Sequence, residues 1–457
     1  MDEERVRSLN SSPVRLAGRY VLYWAQMNRR VAHNHALAFA VETANELGRP
    51  LLYYEDLTYR YPYANDRLHT FVLEGVPENA RRVREFGAGY LFYLRRNAAD
   101  PDEVLYRLAA DAAAVVTDDY PTFVTARHNS RVPPKLSVAC FAVDSSCIVP
   151  MSAIGSRQWA AYTIRPKIRK LLPRYLQPLE PVRPRRAFRG SLHGFHTEVT
   201  PAKIPALVAA CAIDHTVPPS LSFRGGAVEA ETHLDRFLVE NLRRYARYRN
   251  EPSEHATSRL SPYLHFGHIS ALEVALRTAA YAKQHKLIAD EFLEELIVRR
   301  ELAFNFARYT ARHDTLEELP EWARRTLGEH ASDQRPKVYT HEEFARARTA
   351  DPLWNATQKE LLAHGAIHSY YRMYWGKKII EWSPTHQDAH ATMIELHDRQ
   401  ALDGRDPCTY TNILWCFGLH DRPWGERPIF GKVRYMSFDG MRRKTDVDAY
   451  IRETEGL

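Results

Sequence analysis

Short apolar runs alternate with longer amphipathic stretches through the first third of the chain. Arg19–Trp24, Pro50–Tyr54, Tyr90–Leu94, Ala114–Thr117 and Ser137–Val143 are each largely apolar on consecutive positions. That is the pattern of strands buried on both faces of a parallel sheet. Between the first two, Val31–Leu47 repeats its apolar positions with the 3.6-residue period of a covering helix. Such alternation predicts a doubly wound α/β domain. No G-x-G-x-x-G follows the first strand, so a nicotinamide dinucleotide site is unsupported.

Proline then becomes dense, at positions 173, 178, 181, 184, 201, 205, 218 and 219, with Arg183, Arg185, Arg186 and Arg189 in the same stretch. Proline fixes φ and removes an amide donor, so regular structure is not expected to run through it. From about Gly225 the period is almost entirely helical. The organisation read from these shifts is an α/β domain over 1–172, a Pro/Arg-rich connector over 173–224 and an all-α domain over 225–457.

Composition narrows the class. A chain of 457 residues with 45% hydrophobic content supports two full cores. Its net charge of +7 favours a polyanionic partner. The cysteines at 140, 147, 211, 408 and 416 form no C-x-x-C pair and fit a reducing compartment. The sequence offers no metal-ligand spacing, no apolar run of about 20 residues and a charged N-terminus unlike a signal peptide. A soluble cytoplasmic protein is expected.

Five constellations carry chemistry. Trp375 and Trp382 are seven residues apart, two helical turns on one face, and Trp354 must join them through tertiary packing because Gly365 breaks the helix between. Indole is the most easily oxidised ordinary side chain, so a buried train of them can relay single electrons; alone, the three read first as core aromatics. Thr257–Ser270 sets hydroxyls and an arginine ahead of a helix, as an anion site or an ordinary cap. Glu295 stands an i,i+4 step before Arg299 beside the apolar face of Glu291–Tyr309, either a surface ion pair or a carboxylate on a cavity floor. Arg372 and Asp403, the latter in the turn LDGRDP, can bracket a polar heterocycle. Finally, Arg422–Lys444 mixes seven basic residues with two acidic ones and with Trp424, Phe430, Tyr435 and Phe438, which suits phosphate contacts and base stacking.

The order and wording of YVLYWAQMNRRVAHNHAL, SPYLHFG, DPLWNATQ, RMYWGKKIIEW, LDGRDP and IFGKVRYM closely resemble the class II cyclobutane pyrimidine dimer photolyases of the photolyase/cryptochrome family. The resemblance runs over nearly the whole chain. It implies light-driven repair of dimers in double-stranded DNA, by electron transfer from excited reduced flavin adenine dinucleotide (FAD) to a flipped-out lesion. It also implies a second, antenna chromophore of unspecified identity, and a monomer with no obligatory protein partner. The alternative is a cryptochrome-like blue-light signalling flavoprotein without repair activity.

By the same resemblance, Thr257, Ser258, Leu260 and Ser261 hold the FAD phosphates with Tyr245 nearby, and Phe292 packs beside cofactor and lesion. Arg372 and Asp403 flank the flavin ring, and His397 stands where the family usually has Asn opposite the flavin N5. Trp375, Trp354 and Trp382 match the photoreduction tryptophans and Glu295 the carboxylate that hydrogen-bonds the dimer. Asn250, Met373, Trp415, Arg422 and Arg434 match lesion contacts. Three departures stand out: His397, an imidazole that can titrate near neutral pH; Arg299-Arg300 in place of Trp-Lys, which removes an aromatic wall from the lesion pocket and adds charge; and a turn from Trp415 to Asp421 one residue shorter than usual.

Overall fold

The computed structural model describes residues 2–189 and 194–457; residues 190–193 of the expected connector lie outside them. Six strands, β1 (Val6–Ser8), β2 (Tyr20–Trp24), β3 (Leu51–Thr58), β4 (Gly89–Arg95), β5 (Ala112–Asp118) and β6 (Cys140–Val143), form one sheet in the order β1-β6-β5-β2-β3-β4. Every pairing is parallel except β1 with β6. The five expected strands are present, and the edge strand β1, three residues with no apolar run, was not foreseen. Side-chain alternation along β2 explains the continuous apolar pattern. Val21 and Tyr23 pack with Leu37 and Val72 on one face, while Tyr20, Leu22 and Trp24 pack with Leu105 and Leu108 on the other.

Strand order reverses between β2 and β5, and open α/β sheets hold ligands at the carboxyl ends of strands flanking such a switch. A cavity of about 320 Å³ opens there. Gln26, Met27, Thr58, Tyr61, Phe123 and His128 line it from the α/β side, and His265, Phe266 and Arg405 close it from the helical side.

The proline-dense stretch holds more regular structure than expected. Helix Ala161–Tyr175 runs through Pro166 and Pro173, and Ile204–Ala209 is a further short helix. Each proline removes one backbone hydrogen bond, and the burial of Ile164, Ile168 and Tyr175 outweighs that loss. These three side chains join Phe237, Phe292 and Leu296 in one core, so this helix packs with the helical domain although it precedes residue 173. The remainder of the connector wraps back over the sheet, where Phe188 meets Tyr20 at 5.8 Å and Thr197 donates its amide to the Phe92 carbonyl at 2.8 Å.

Buried arginines bolt the two parts together through backbone carbonyls. Arg30 donates to Gly267 and Ser145, and Arg300 to Ser146 at 2.6 Å. Arg67, 1% exposed, donates to Pro218 (3.0 Å), Leu361 (3.0 Å), Gln400 (2.8 Å) and Leu362. Arg67→Met keeps the volume but orphans four acceptors, each costing about 1–3 kcal/mol when buried without a partner. We expect urea unfolding to show a loss of at least ~3 kcal/mol. A loss below ~1 kcal/mol would mean that water serves those carbonyls as well.

Candidate active site

The tryptophan helix, Ser369–Trp382, carries Trp375 and Trp382, and the preceding helix Pro352–His364 carries Trp354 and ends at Gly365 with φ +71°. Packing sets Trp354 between the other two. It stacks on Trp375 with ring centroids 6.3 Å apart and planes 6° from parallel, and meets Trp382 edge-on at 6.4 Å. Trp354 and Trp375 are almost wholly buried, and each N–H is used. Trp354 Nε1 donates to the Trp375 carbonyl at 3.0 Å, and Trp375 Nε1 donates to Gln358 at 2.8 Å. Gln358 was not foreseen, although it stands one turn after Trp354 and so shares its helix face.

At the inner end of this stack Arg372 Nη2 meets both carboxylate oxygens of Asp403, at 3.1 and 3.2 Å. Burial works to raise the Asp403 carboxyl, but the Arg372 guanidinium and the Ser261 hydroxyl hold it below its ordinary value. Asp403 owes its position to a tight turn. Gly404 cannot carry a Cβ, which would stand 2.7 Å from the His397 carbonyl oxygen, and Arg405 adopts φ +66°. The next acid, Asp406, faces the opposite way and accepts from Tyr120 at 2.6 Å, with His265 at 3.2 Å.

His397 is 1% exposed, lies edge-on 6.3 Å from Trp375, and has no partner for Nδ1 or Nε2 among the described residues. Burial, reinforced by the Arg372 charge, pushes its pKa down to about 3. The expectation of a group titrating near neutrality is therefore corrected: desolvation keeps this imidazole neutral. Arg372 Nε is likewise shielded and unpartnered.

The segment Glu294–Arg299 is π-helical, which breaks the i,i+4 register assumed for Glu295 and Arg299. Glu295 pairs instead with Arg249 at 2.8 Å, both partly exposed, while Arg165 takes Glu294 at 2.7 Å. Arg299 lies 3.8 Å from Glu294 and stacks over Trp415 at 5.5 Å. Arg300 leaves the pocket altogether, stacking on Phe304 at 4.3 Å and bolting to Ser146, so only one of the two departing arginines charges this site. Nothing local in the sequence points to Arg249, which is brought in by tertiary packing.

Phe292 contacts Phe237 (4.5 Å) and Tyr245 (5.4 Å), forming an aromatic floor beneath the Arg249–Glu295 pair. Tyr245 thus joins Phe292 and Arg249, whose guanidinium lies 6.0 Å from its ring. Thr257 and Ser258 are half-buried, Leu260 is buried and Ser261 exposed. The helix that Ser261 opens, Ser261–His265, is a single turn, so the expected dipole contribution is small. Met373 is half-buried against the helical core and Asn250 is exposed beside Arg249. Trp415 is half-buried, with a shielded N–H that lacks a partner. Arg422 and Arg434 both stack on Trp424, at 5.2 and 4.4 Å, and Arg434 pairs with Asp421 at 3.3 Å. Arg434 is therefore already engaged by Asp421 and Trp424.

His397 yields a pH prediction. Its folded-state pKa lies below the unfolded value, so between pH ~6.5 and ~3 the unfolded chain binds the extra proton and stability falls with acid. In His397→Asn this linkage disappears. The unfolding free energy of wild type relative to the variant should fall by up to ~1.4 kcal/mol per pH unit below 6.5. Parallel pH profiles for the two proteins would show that the imidazole is not held neutral.

Residues 21–185 match the model of the DNA photolyase family. The chain is 41% identical to the deoxyribodipyrimidine photo-lyase of Methanothermobacter thermautotrophicus, over 99% of this chain and 98% of that protein. It is 36% identical to the Arabidopsis thaliana enzyme of the same name, over 96% and 89%, and 33% identical to that of Potorous tridactylus, over 94% and 80%. Among solved structures, a Synechocystis cryptochrome superposes with TM-score 0.71 at 16% identity, over 95% of this chain and 88% of that one. A class III photolyase from Agrobacterium tumefaciens gives 0.69 at 17%, over 98% and 87%. Shared fold and shared sequence over almost its full length agree: this chain belongs to the photolyase/cryptochrome family.

Proposed function

We propose that the protein is a class II DNA photolyase that splits cyclobutane pyrimidine dimers in light. The observation that carries this reading is the convergence of the Arg372–Asp403 pair, unpartnered His397 and the Trp375–Trp354 stack. Buried polar atoms in native proteins are hydrogen-bonded, so His397 and Arg372 Nε call for a polar ligand. FAD fits that demand, with a ring edge rich in hydrogen-bonding atoms. Arg372, Asp403 and His397 would hold its ring, and Thr257, Ser258, Leu260 and Ser261 its phosphates. Held there in its reduced form, FAD would supply the light-driven single-electron chemistry that opening a cyclobutane ring requires.

The protein's part is positioning and electrostatics. Arg372 offers positive charge on one side of the ring, and neutral His397 adds none. Glu295, with Arg249, Asn250, Met373 and Trp415, meets the dimer after it leaves the stack, which a damaged pair does cheaply. Arg299 over Trp415 replaces an aromatic wall with a cation–π pair. Arg422 and Arg434 contact the DNA around the gap, Arg434 after parting from Asp421. A second chromophore would have the 320 Å³ cavity at the sheet's switch point open to it. Trp375, Trp354 and Trp382 would relay electrons from an external reductant toward oxidised flavin.

Dimer-containing duplex DNA should lose its lesions under blue light and keep them in the dark. If light has no effect on a folded, flavin-loaded protein, the signalling reading takes over. Glu295→Ala should lower dimers split per absorbed photon more than it lowers DNA affinity, because affinity comes mainly from phosphate contacts. Equal losses in both would make Glu295 only the anchor of Arg249.

Trp375→Phe keeps an aromatic ring in the core. Photoreduction of oxidised flavin should slow by at least an order of magnitude in this variant, while splitting by chemically reduced protein persists. Wild-type photoreduction would return Trp375 to the role of a core side chain.

A further inference from the structure

We propose that helix Ala161–Tyr175 and Trp159 before it form a second DNA-binding arm, continuous with the lesion site, that takes the phosphate backbone of the flanking duplex. This rests on the reading of the protein as a DNA photolyase. The helix carries Arg165, Lys167, Arg169, Lys170 and Arg174 and no acidic residue. Arg165 is spent on Glu294 and Arg174 on Asp2 and Glu4. Lys167, Arg169 and Lys170 are exposed and carry no ion pair among the described residues. Arg169 feels the Glu294 carboxylate only at long range, so three neighbouring cations without a direct ion pair leave the electrostatic footprint of a polyanion.

Two contacts join this surface to the candidate site. Arg165 fixes the helix to Glu294, the residue before Glu295. At the other end, the Trp159 carbonyl accepts from His420 Nδ1, in the turn between Trp415 and Arg422. Burial pushes the His420 pKa down to about 4, so the ring is neutral and its single proton sits on the nitrogen facing that carbonyl. The Trp159 side chain is 62% exposed and Tyr162 72%, an unusual use of large aromatics on a surface. Arg157, paired with Glu318, lies 5.2 Å from the Trp159 ring and steadies it. A braced, exposed indole beside a row of cations suits a base or sugar edge next to the opened lesion. An anionic membrane fits less well, because the apolar face of the helix, Ile164 and Ile168, is already inside the core.

The test measures binding in the dark to a dimer-containing duplex across a salt series, by fluorescence anisotropy. Two variants are compared with wild type, Lys167→Gln/Arg169→Gln/Lys170→Gln and Trp159→Ala, each checked for wild-type flavin content and circular dichroism. The triple variant should flatten the slope of log affinity against log salt by about 0.9 for each phosphate the arm no longer neutralises. Trp159→Ala should weaken binding roughly fivefold or more with the slope unchanged, since stacking releases no counterions. An unchanged slope in the triple variant, or wild-type affinity in Trp159→Ala, overturns the proposal. If wild type itself binds dimer-containing and undamaged duplex alike and splits nothing in light, the photolyase reading fails and the arm with it. If wild type discriminates and repairs while the variants match it, the arm alone fails.

Discussion

The turn Leu402–Asp406 places two buried carboxylates back to back, and the site hangs on both. Asp403 answers Arg372 on the tryptophan helix, and Asp406 answers Tyr120 and His265. Thr122, from the α/β side, caps the Arg405 carbonyl at 2.9 Å, and Thr409 the Asp403 carbonyl at 2.8 Å. A carboxylate out of water is tolerated only when its partners are in place. Sheet domain, tryptophan helix and the Ser261–His265 turn therefore have to be docked together before either acid is stable. Arg372, Asp403 and His397 are positioned by folding of the whole chain, not by a local motif.

How much of this was legible depends on where the information lies. The five parallel strands were readable because burial on both faces writes an apolar run into the sequence. β1 was not, since three residues at an edge leave no such trace. The tight LDGRDP turn was readable from Gly404, and the helix break from Gly365. Arg372 and Asp403 emerged as a candidate pair, but their facing geometry is tertiary, as is the insertion of Trp354 between Trp375 and Trp382. The π-helical turns at Glu294–Arg299 defeated the i,i+4 argument outright. One change of helical register gave Glu295 to Arg249 and left Arg299 nearer Glu294.

The net charge of +7 also needs apportioning. Arg5, Arg30, Arg67 and Arg300 are buried donors to backbone carbonyls. They satisfy helix ends and loops at the seam and are inaccessible to any polyanion. Composition alone treats them as equivalent to Lys167 or Arg422, which it cannot distinguish from interior bolts. Buried acids such as Asp118, Asp144, Glu301 and Asp403 offset these interior cations, so the excess of +7 lies on side chains nearer the surface.

The acceptors chosen by the stacked indoles have a consequence for proton chemistry. Both Trp354 and Trp375 donate to amide oxygens, one on the backbone and one on Gln358. An amide oxygen accepts a hydrogen bond readily but is far too weak a base to take the proton. An indole that gives up an electron between such neighbours keeps its N–H and remains a cation. Between two parallel rings 6.3 Å apart, such a hole would be free to hop in either direction. It becomes trapped only where an indole can lose its proton to water or to a stronger base, so the direction of charge flow is set at the outer end of the stack.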